Sequence, residues 1–447
     1  MKNKRIIIVG MGPAATGAAA AIQHTNKNAE ITLIEKKIYE SYSPCGMPFA
    51  LEGKMNFEDL KHSFPSKGLK SKVYINTEAK SIDTKRKELW IQHDEKIEIL
   101  DYDSLIIATG TEPLIPPIPN VEKFLQNRNA FTVASLESVV ALYTASMPAD
   151  NITIIGAGAI GLEFAVAIKR FWSKVLVAEM MPQVFPNALD SDMARHVQEY
   201  LESKDIKVLT NSKVESMNGS DKLESLTINK TEYKSDAAVL ACGNKPSIKI
   251  IQDTPIIYTK NGIVTDKKMM TNIKNVYAIG DCVETNNFLT KKRCRSALAV
   301  PARKQGRVAG INATGGKAIY EGTLNTFISV LDDYAVGATG LTAEQAKSEG
   351  YEVSMQKIKG TNIPDWYPGN KQLIIKIIAD KKGKLLGGQV FGEKYATKGM
   401  IDVISSYLTR NSNLKAMMNG ELSYCPDVAN LPDPLTTTLD FLLRRKK

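Results

Sequence analysis

The 447-residue sequence predicts an α/β protein, and three observations predict it. A short apolar strand runs directly into Gly10-Met11-Gly12-Pro13-Ala14-Ala15 and an alanine-rich helix. The same order recurs mid-chain, with a strand, then Gly156-Ala157-Gly158-Ala159-Ile160-Gly161, then a helix. In both places a second strand closes on a glutamate, Glu35 and Glu179. Glycines at that spacing between strand and helix, with an acid at the end of the next strand, define a Rossmann-like dinucleotide-binding unit. Two complete units predict two such domains.

The first unit reads as a strand Arg5 to Val9, a helix to about Gln23 and a second strand Glu30 to Glu35. Gly10 permits the tight turn and Gly12 lets backbone approach a pyrophosphate. Ala15 lets helix and strand pack closely, the phosphates rest on the helix N-terminus beside Pro13 and Ala14, and Glu35 holds a ribose diol. The second unit reads as a strand Ile152–Ile155, a helix to about Trp172 and a strand Lys174–Glu179. The Glu179 carboxylate accepts from a ribose 2′-OH and repels a 2′-phosphate, and Met180 and Met181 bring no guanidinium to reverse this. NADH is therefore expected over NADPH.

The chain is long enough for several cores, and 43% hydrophobic with 24% charged residues is ordinary for a soluble globular protein. A net charge of +10 raises nucleic acid or an anionic membrane as partners, but the basic residues are dispersed, with one tight run at Arg444-Arg445-Lys446-Lys447. No dedicated partner of either kind is expected. Lys2, Lys4 and Arg5 before an apolar run imitate a leader peptide, and Gly10, Gly12 and Pro13 break it. Five cysteines, Cys45, Cys242, Cys282, Cys294 and Cys425, form no C-x-x-C pair, so neither a disulfide framework nor a metal site is expected. A reducing cytoplasm fits.

Further motifs extend the pattern over nearly the whole chain: Leu105-Ile106-Ile107-Ala108-Thr109-Gly110, Ala241-Cys242-Gly243-Asn244-Lys245-Pro246, and Thr271 to Asp281. Together with the fingerprints they resemble the two-dinucleotide flavoprotein disulfide reductases. The resemblance implies an FAD domain in two parts (1–113 and 266–322), an NAD(P) domain (114–265) and a C-terminal α+β dimerisation domain (323–447) of a homodimer. FAD would lie on the first fingerprint with Asp281 on its ribityl chain. NADH would lie on the second, at Gly158, Ile160 and Glu179, with Glu163 near the nicotinamide. Further cofactor contacts are implied at Lys36, Ser41, Ala79, Thr109, Gly110, Ala299 and Gly243.

The branch depends on the redox residue. Ser41-Tyr42-Ser43-Pro44-Cys45-Gly46 resembles the S-x-x-x-C motif of the single-cysteine branch, which contains coenzyme A disulfide reductases, NADH oxidases and peroxidases, and persulfide reductases. Cys45 would be the redox centre. Cys282 and Cys294 read as packing residues, Cys242 as lining a turn, and Cys425 stays open. Trp366-Tyr367-Pro368-Gly369 and Leu422-Ser423-Tyr424-Cys425-Pro426 resemble the branch's Y-Y-P-G and Y-A-P-P segments. By that resemblance Tyr367 and Tyr424 of the partner subunit attend the departing thiol, packing at the interface being the alternative.

Three departures narrow the reading. Gly12, Pro13 and Ala14 stand where peroxidases and oxidases place a histidine. Gln23-His24-Thr25 stands where basic residues suit coenzyme A phosphates, leaving Lys61, Lys67, Lys70 and Lys72 to supply charge. Ala159 replaces an aromatic cover over the flavin. The sequence ends at Lys447 with no rhodanese segment, so a built-in sulfur-transfer step is not expected. The reading is thus an FAD enzyme using NADH to reduce a small disulfide, persulfide or polysulfide through Cys45, with coenzyme A as the leading thiol. Its alternatives are an NADH oxidase reducing O2 through a Cys45 sulfenic acid, and a basic flavoprotein that acts by binding nucleic acid or a membrane surface.

Overall fold

The computed structural model describes residues 4–64, 71–146, 149–171 and 174–444. Its chain divides into two compact units: residues 1–46, 56–114 and 244–323 form the first, and 47–55, 115–243 and 324–447 the second.

In the first unit a five-stranded parallel sheet runs in the order Val276–Ala278, Ser104–Ile107, Arg5–Val9, Glu30–Ile34, Ser71–Tyr74. The apolar run of the central strand suits burial on both faces: Ile6, Ile7 and Ile8 are almost fully enclosed. The helix Pro13–Thr25 starts with proline in its first turn, where the missing N–H costs nothing. It packs on the helix Ala299–Ala313 at backbone distance, since a Cβ on Gly306 would stand 2.0 Å from the Ala14 carbonyl oxygen, and one on Gly17 would stand 2.3 Å from that of Arg303. The helix runs to Thr25 rather than Gln23.

In the second unit a parallel sheet has the order Ala130–Thr132, Ala237–Leu240, Asn151–Ile155, Lys174–Ala178, Ile206–Leu209. The helix Ala159–Lys169 follows its central strand, and Trp172, the expected helix end, lies outside the described residues. An antiparallel five-stranded sheet comes later, in the order Phe327–Leu331, Tyr334–Gly340, Leu385–Glu393, Gln372–Asp380, Val353–Thr361, with helices Lys394–Thr409 and Pro434–Arg444. One charge is buried in it, Lys376, whose Nζ lies 2.9 Å from Asp190 and 2.7 Å from Asp192. A buried cation this well paired ties the segment before the helix Ser191–Ser203 to the sheet.

The chain returns to the first unit at residue 244, within the motif Ala241–Pro246. Asn244–Pro246 pairs antiparallel with Thr111–Pro113 as soon as the chain leaves the second sheet, and Ile250, Ile251, Ile256 and Ile263 enter the first unit's core.

Candidate active site

In the first unit the fingerprint closes as its glycines require. Gly10 has φ +102°, and a Cβ there would stand 2.3 Å from the Ala108 carbonyl oxygen, so the turn after the strand excludes any side chain. Gly12 caps the helix in extended conformation, its Cβ direction is empty within 4 Å, and no side chain caps the N-terminus. Uncapped N–H groups facing an open cradle are what a pyrophosphate needs. Glu35 is buried, and its Oε2 accepts from the Met11 amide at 3.0 Å. Its Oε1 accepts from the Lys37 amide at 3.1 Å and from Lys37 Nζ at 3.0 Å.

The third motif meets the first directly: a Cβ on Gly280 (φ +78°) would stand 3.0 Å from Ala14 Cβ, and the Gly280 amide donates to the buried Gln305 at 2.7 Å. Asp281 follows in the same turn, and burial pushes its carboxyl up to about 6 against the pull of Arg295. No described residue hydrogen-bonds it. A desolvated carboxyl of this kind fits a cofactor hydroxyl as its partner. Thr109 donates to the Ser247 carbonyl at 2.6 Å, and Gly110 follows at φ +68°. These residues converge on one end of the parallel sheet. Ala79 lies in the edge strand Thr77–Asp83, opposite Ile91 and beside a bulge, Lys36 is exposed just past Glu35, and Ala299 is exposed at the first turn of its helix.

Cys45 is exposed in the 3₁₀ turn Pro44–Gly46. Ser41–Tyr42 pairs antiparallel with Lys61–His62, the Ser43 amide donates to the Leu60 carbonyl at 2.9 Å, and Ser41 Oγ donates to the Met11 carbonyl at 3.2 Å. The last bond fastens the cysteine loop to the fingerprint turn. His62, which no motif singled out, is brought to this loop by strand pairing, its Nε2 3.5 Å from Ser43 Oγ. Lys61, expected as available charge, is paired with Glu58 at 2.8 Å, and Lys72 lies over the Tyr74 ring. Lys67 and Lys70 lie outside the described residues.

The second unit repeats the wiring. Gly156 has φ +108° with the Ala241 carbonyl oxygen 2.5 Å from its Cβ direction, and Gly158 caps an uncapped helix over open space. Glu179 Oε2 accepts from the Ala157 amide at 2.7 Å, and Oε1 from the Met181 amide at 2.8 Å. Met180 and Met181 are 65% and 43% exposed, so the two residues that follow that carboxylate present thioethers to solvent. Ile160 is exposed at the helix start and Gly243 takes φ +98°. Glu163 accepts from the buried Ser329 hydroxyl at 2.8 Å, and burial pushes its carboxyl up to about 7 in spite of that bond. Cys242 Sγ donates to the Ile155 carbonyl at 3.4 Å, with burial and the Glu179 charge raising the thiol to about 11. Such a thiol is an unreactive packing group. Cys282 is buried and its thiol is pushed up by desolvation. Tyr367 and Tyr424 both lie in the second unit, and Tyr367 donates its hydroxyl to Asp427 Oδ1 at 2.8 Å.

A family model described as pyridine nucleotide-disulphide oxidoreductase matches residues 4–306, and its dimerisation-domain model matches 327–432. The chain belongs to this family. An NADH oxidase of Methanocaldococcus jannaschii is 33% identical over 99% of both chains. A CoA-dependent NAD(P)H sulfur oxidoreductase of Pyrococcus abyssi is 29% identical over 97% of both. Among solved structures, an NAD-dependent persulfide reductase from A. fulgidus superposes with TM-score 0.93 at 30% identity, covering 99% of this chain and 83% of that one. The protein is thus an FAD-dependent NAD(P)H oxidoreductase with a dimerisation domain that supports a homodimer. Among the described residues no helix is long and apolar enough to cross a membrane.

Proposed function

We propose that this chain uses NADH to reduce sulfur carried on Cys45, the substrate being a small disulfide, persulfide or polysulfide with coenzyme A as the leading thiol. The observation that carries the reading is an exposed cysteine whose loop is fastened, through Ser41, to the backbone of a nucleotide-binding turn. The names of the Pyrococcus abyssi and A. fulgidus relatives support it. In this reading the first unit holds FAD, the parallel sheet of the second unit holds NADH, and the C-terminal sheet dimerises. FAD, when bound, supplies a two-electron relay from nicotinamide to sulfur.

The chain's own residues do the rest. Gly10, Gly12 and the uncapped amides of Pro13–Thr25 seat the pyrophosphate, Glu35 takes the ribose, and Asp281 gives its carboxyl to the ribityl hydroxyls. Gly158, Ile160 and Glu179 orient NADH, and Glu163, held by Ser329, faces the nicotinamide. Cys45 holds the acceptor: two electrons and one proton convert Cys45–S–S–R into the Cys45 thiolate and RSH, with a tyrosine phenol supplying the proton. Orientation of hydride donor and acceptor accounts for more of the rate than acid–base work.

The test is anaerobic titration with NADH followed by mass spectrometry of Cys45 with and without coenzyme A disulfide. Mass added at Cys45 and removed by NADH is the expected result. Wild-type disulfide turnover by Cys45→Ser would sink the proposal. The Methanocaldococcus jannaschii relative favours a second reading, an NADH oxidase cycling Cys45 through sulfenic acid. Under air, oxygen consumption faster than disulfide turnover would select it.

A further inference from the structure

The loop that carries Cys45 is held by a second segment of the same unit, residues 58–64. Ser41–Tyr42 pairs antiparallel with Lys61–His62, the Phe64 amide donates to Glu40 Oε2 at 2.6 Å, and Lys61 Nζ lies 5.8 Å from the centre of the Tyr39 ring. Beyond this ladder the Ser43 amide donates to the Leu60 carbonyl at 2.9 Å, and the Gly46 amide donates to the Ser43 carbonyl at 3.0 Å. The second bond closes Ser43-Pro44-Cys45-Gly46 into one turn, in which the Cα atoms of Ser43 and Cys45 are at most about 7.6 Å apart. Whatever fixes Ser43 fixes Cys45.

His62 is the side chain that reaches Ser43, its Nε2 3.5 Å from Ser43 Oγ. The ladder thus brings an imidazole to a loop whose own residues, 39–46, include none. Charged side chains described around the loop are engaged elsewhere, Lys61 with Glu58 and Lys37 with Glu35. A hydroxyl has one proton to give and two lone pairs that receive. When Nε2 carries a proton it donates to Ser43 Oγ, and the serine proton is free to turn along the loop toward Cys45, two residues on. When Nε2 is bare it takes that proton for itself. The imidazolium carries a proton on both nitrogens, so the donating arrangement alone is open to it. A hydroxyl turned toward a thiolate stabilises the charged form and raises the share of reactive sulfur.

We propose that His62 is a positioning residue for Cys45: it donates to Ser43 Oγ and so directs the Ser43 hydroxyl onto the Cys45 thiolate. The proposal rests on the reading of Cys45 as the redox centre. His62 and Ser43 exchange no electrons and keep their protons. What they change is the fraction of Cys45 present as thiolate.

The test follows alkylation of Cys45 by iodoacetamide against pH in the full-length FAD-loaded protein, reduced with dithiothreitol and desalted under anaerobic conditions, with the Cys45 peptide quantified by mass spectrometry. The thiolate is the form that reacts, so the midpoint of the curve reads its ionisation. Ser43→Ala is expected to move the midpoint up, slowing alkylation about five- to tenfold below it and leaving the rate well above it unchanged. His62→Ala should slow alkylation about threefold in the same pH-dependent way, and should add nothing to Ser43→Ala because the two act in series. His62→Gln should restore the wild-type curve, since its amide Nε2 still donates. A histidine that only staples the loop would change the rate by one factor at every pH and leave the midpoint in place. An unmoved midpoint in His62→Ala, a His62→Gln as shifted as His62→Ala, or shifts that add in the double variant overturn the proposal. If Ser43→Ala loses its flavin, His62→Ala with His62→Gln decides the same point. Disulfide turnover by Cys45→Ser judges the sulfur reading separately, because alkylation needs no substrate.

Discussion

The two fingerprints share their hydrogen-bond wiring and differ in what surrounds it. Gly10 and Gly156 turn at nearly the same positive φ against a backbone carbonyl from a neighbouring strand, and Glu35 and Glu179 each accept two backbone amides, one in the glycine turn and one two residues on. In the first unit, however, Lys37 adds an ion pair to Glu35, and the fingerprint helix lies at backbone distance from a second helix. In the second, Met181 stands in place of the lysine, and the third fingerprint position is Gly161, whose Cβ direction runs 2.1 Å from the Gly156 carbonyl oxygen, where the first unit has Ala15. Equal wiring makes two dinucleotide seats. Unequal surroundings suit one to a cofactor that stays and the other to one that comes and goes.

The helix contact offers the largest test of that contrast. Gly306→Val is expected to push the helices apart and cost at least about 3 kcal/mol, giving protein purified without FAD and with a lowered thermal midpoint. Flavin absorbance per protein measures it. An unchanged ratio would mean that close helix packing is not what retains the cofactor.

Next come the two buried carboxyls. The ordinary carboxyl value is 4.5 for Glu163 and 3.8 for Asp281, and in the folded chain they stand at about 7 and about 6. Between those limits the unfolded chain has released a proton that the folded chain keeps, so each group weakens the fold as pH rises through the window and contributes no further change above it. For Glu163→Gln the expected gain at pH 8 is at most about 3 kcal/mol, discounted for partial exposure, and near zero at pH 4. Urea midpoints of apo-protein at both pH values measure it, and a gain that is equal at both contradicts the assignment. Asp281→Asn should behave likewise over a window ending near pH 6, while FAD retention falls.

Smaller effects probe the rims. Met181→Lys gives Glu179 the cation that Glu35 already has and offers one to a 2′-phosphate, so the NADPH-to-NADH ratio of kcat/KM should rise roughly tenfold, about 1.4 kcal/mol. A ratio that stays put would remove the rim as the source of coenzyme choice. Lys37→Ala removes a half-exposed ion pair from a buried partner and should weaken FAD retention by no more than a few-fold, about 0.5–1 kcal/mol. A complete loss of flavin would show that the lysine does more than orient Glu35.

Both fingerprints are legible in the sequence because their information is local. A glycine forced to positive φ, an open cap and an acid at the next strand end all lie within a few dozen residues, and backbone geometry allows few other residues there. The S-x-x-x-C segment and the Thr271–Asp281 motif are legible for the same reason. Partners brought together by tertiary pairing are not. His62 reaches the Cys45 loop through a two-residue ladder, Ser329 reaches Glu163 from a strand 166 positions on, and Asp427 reaches Tyr367 across 60.

Two dinucleotide seats, a candidate redox thiol and the family follow from consecutive residues, because turn chemistry and strand-end acids are written there. Folding in three dimensions was needed to select the carbonyls that close the glycine turns, the carboxyls that lose water and rise toward neutrality, and the carboxylate that takes the Tyr367 hydroxyl. Those outcomes depend on desolvation and on hydrogen bonds between segments far apart in the chain, quantities that no local pattern of residues encodes.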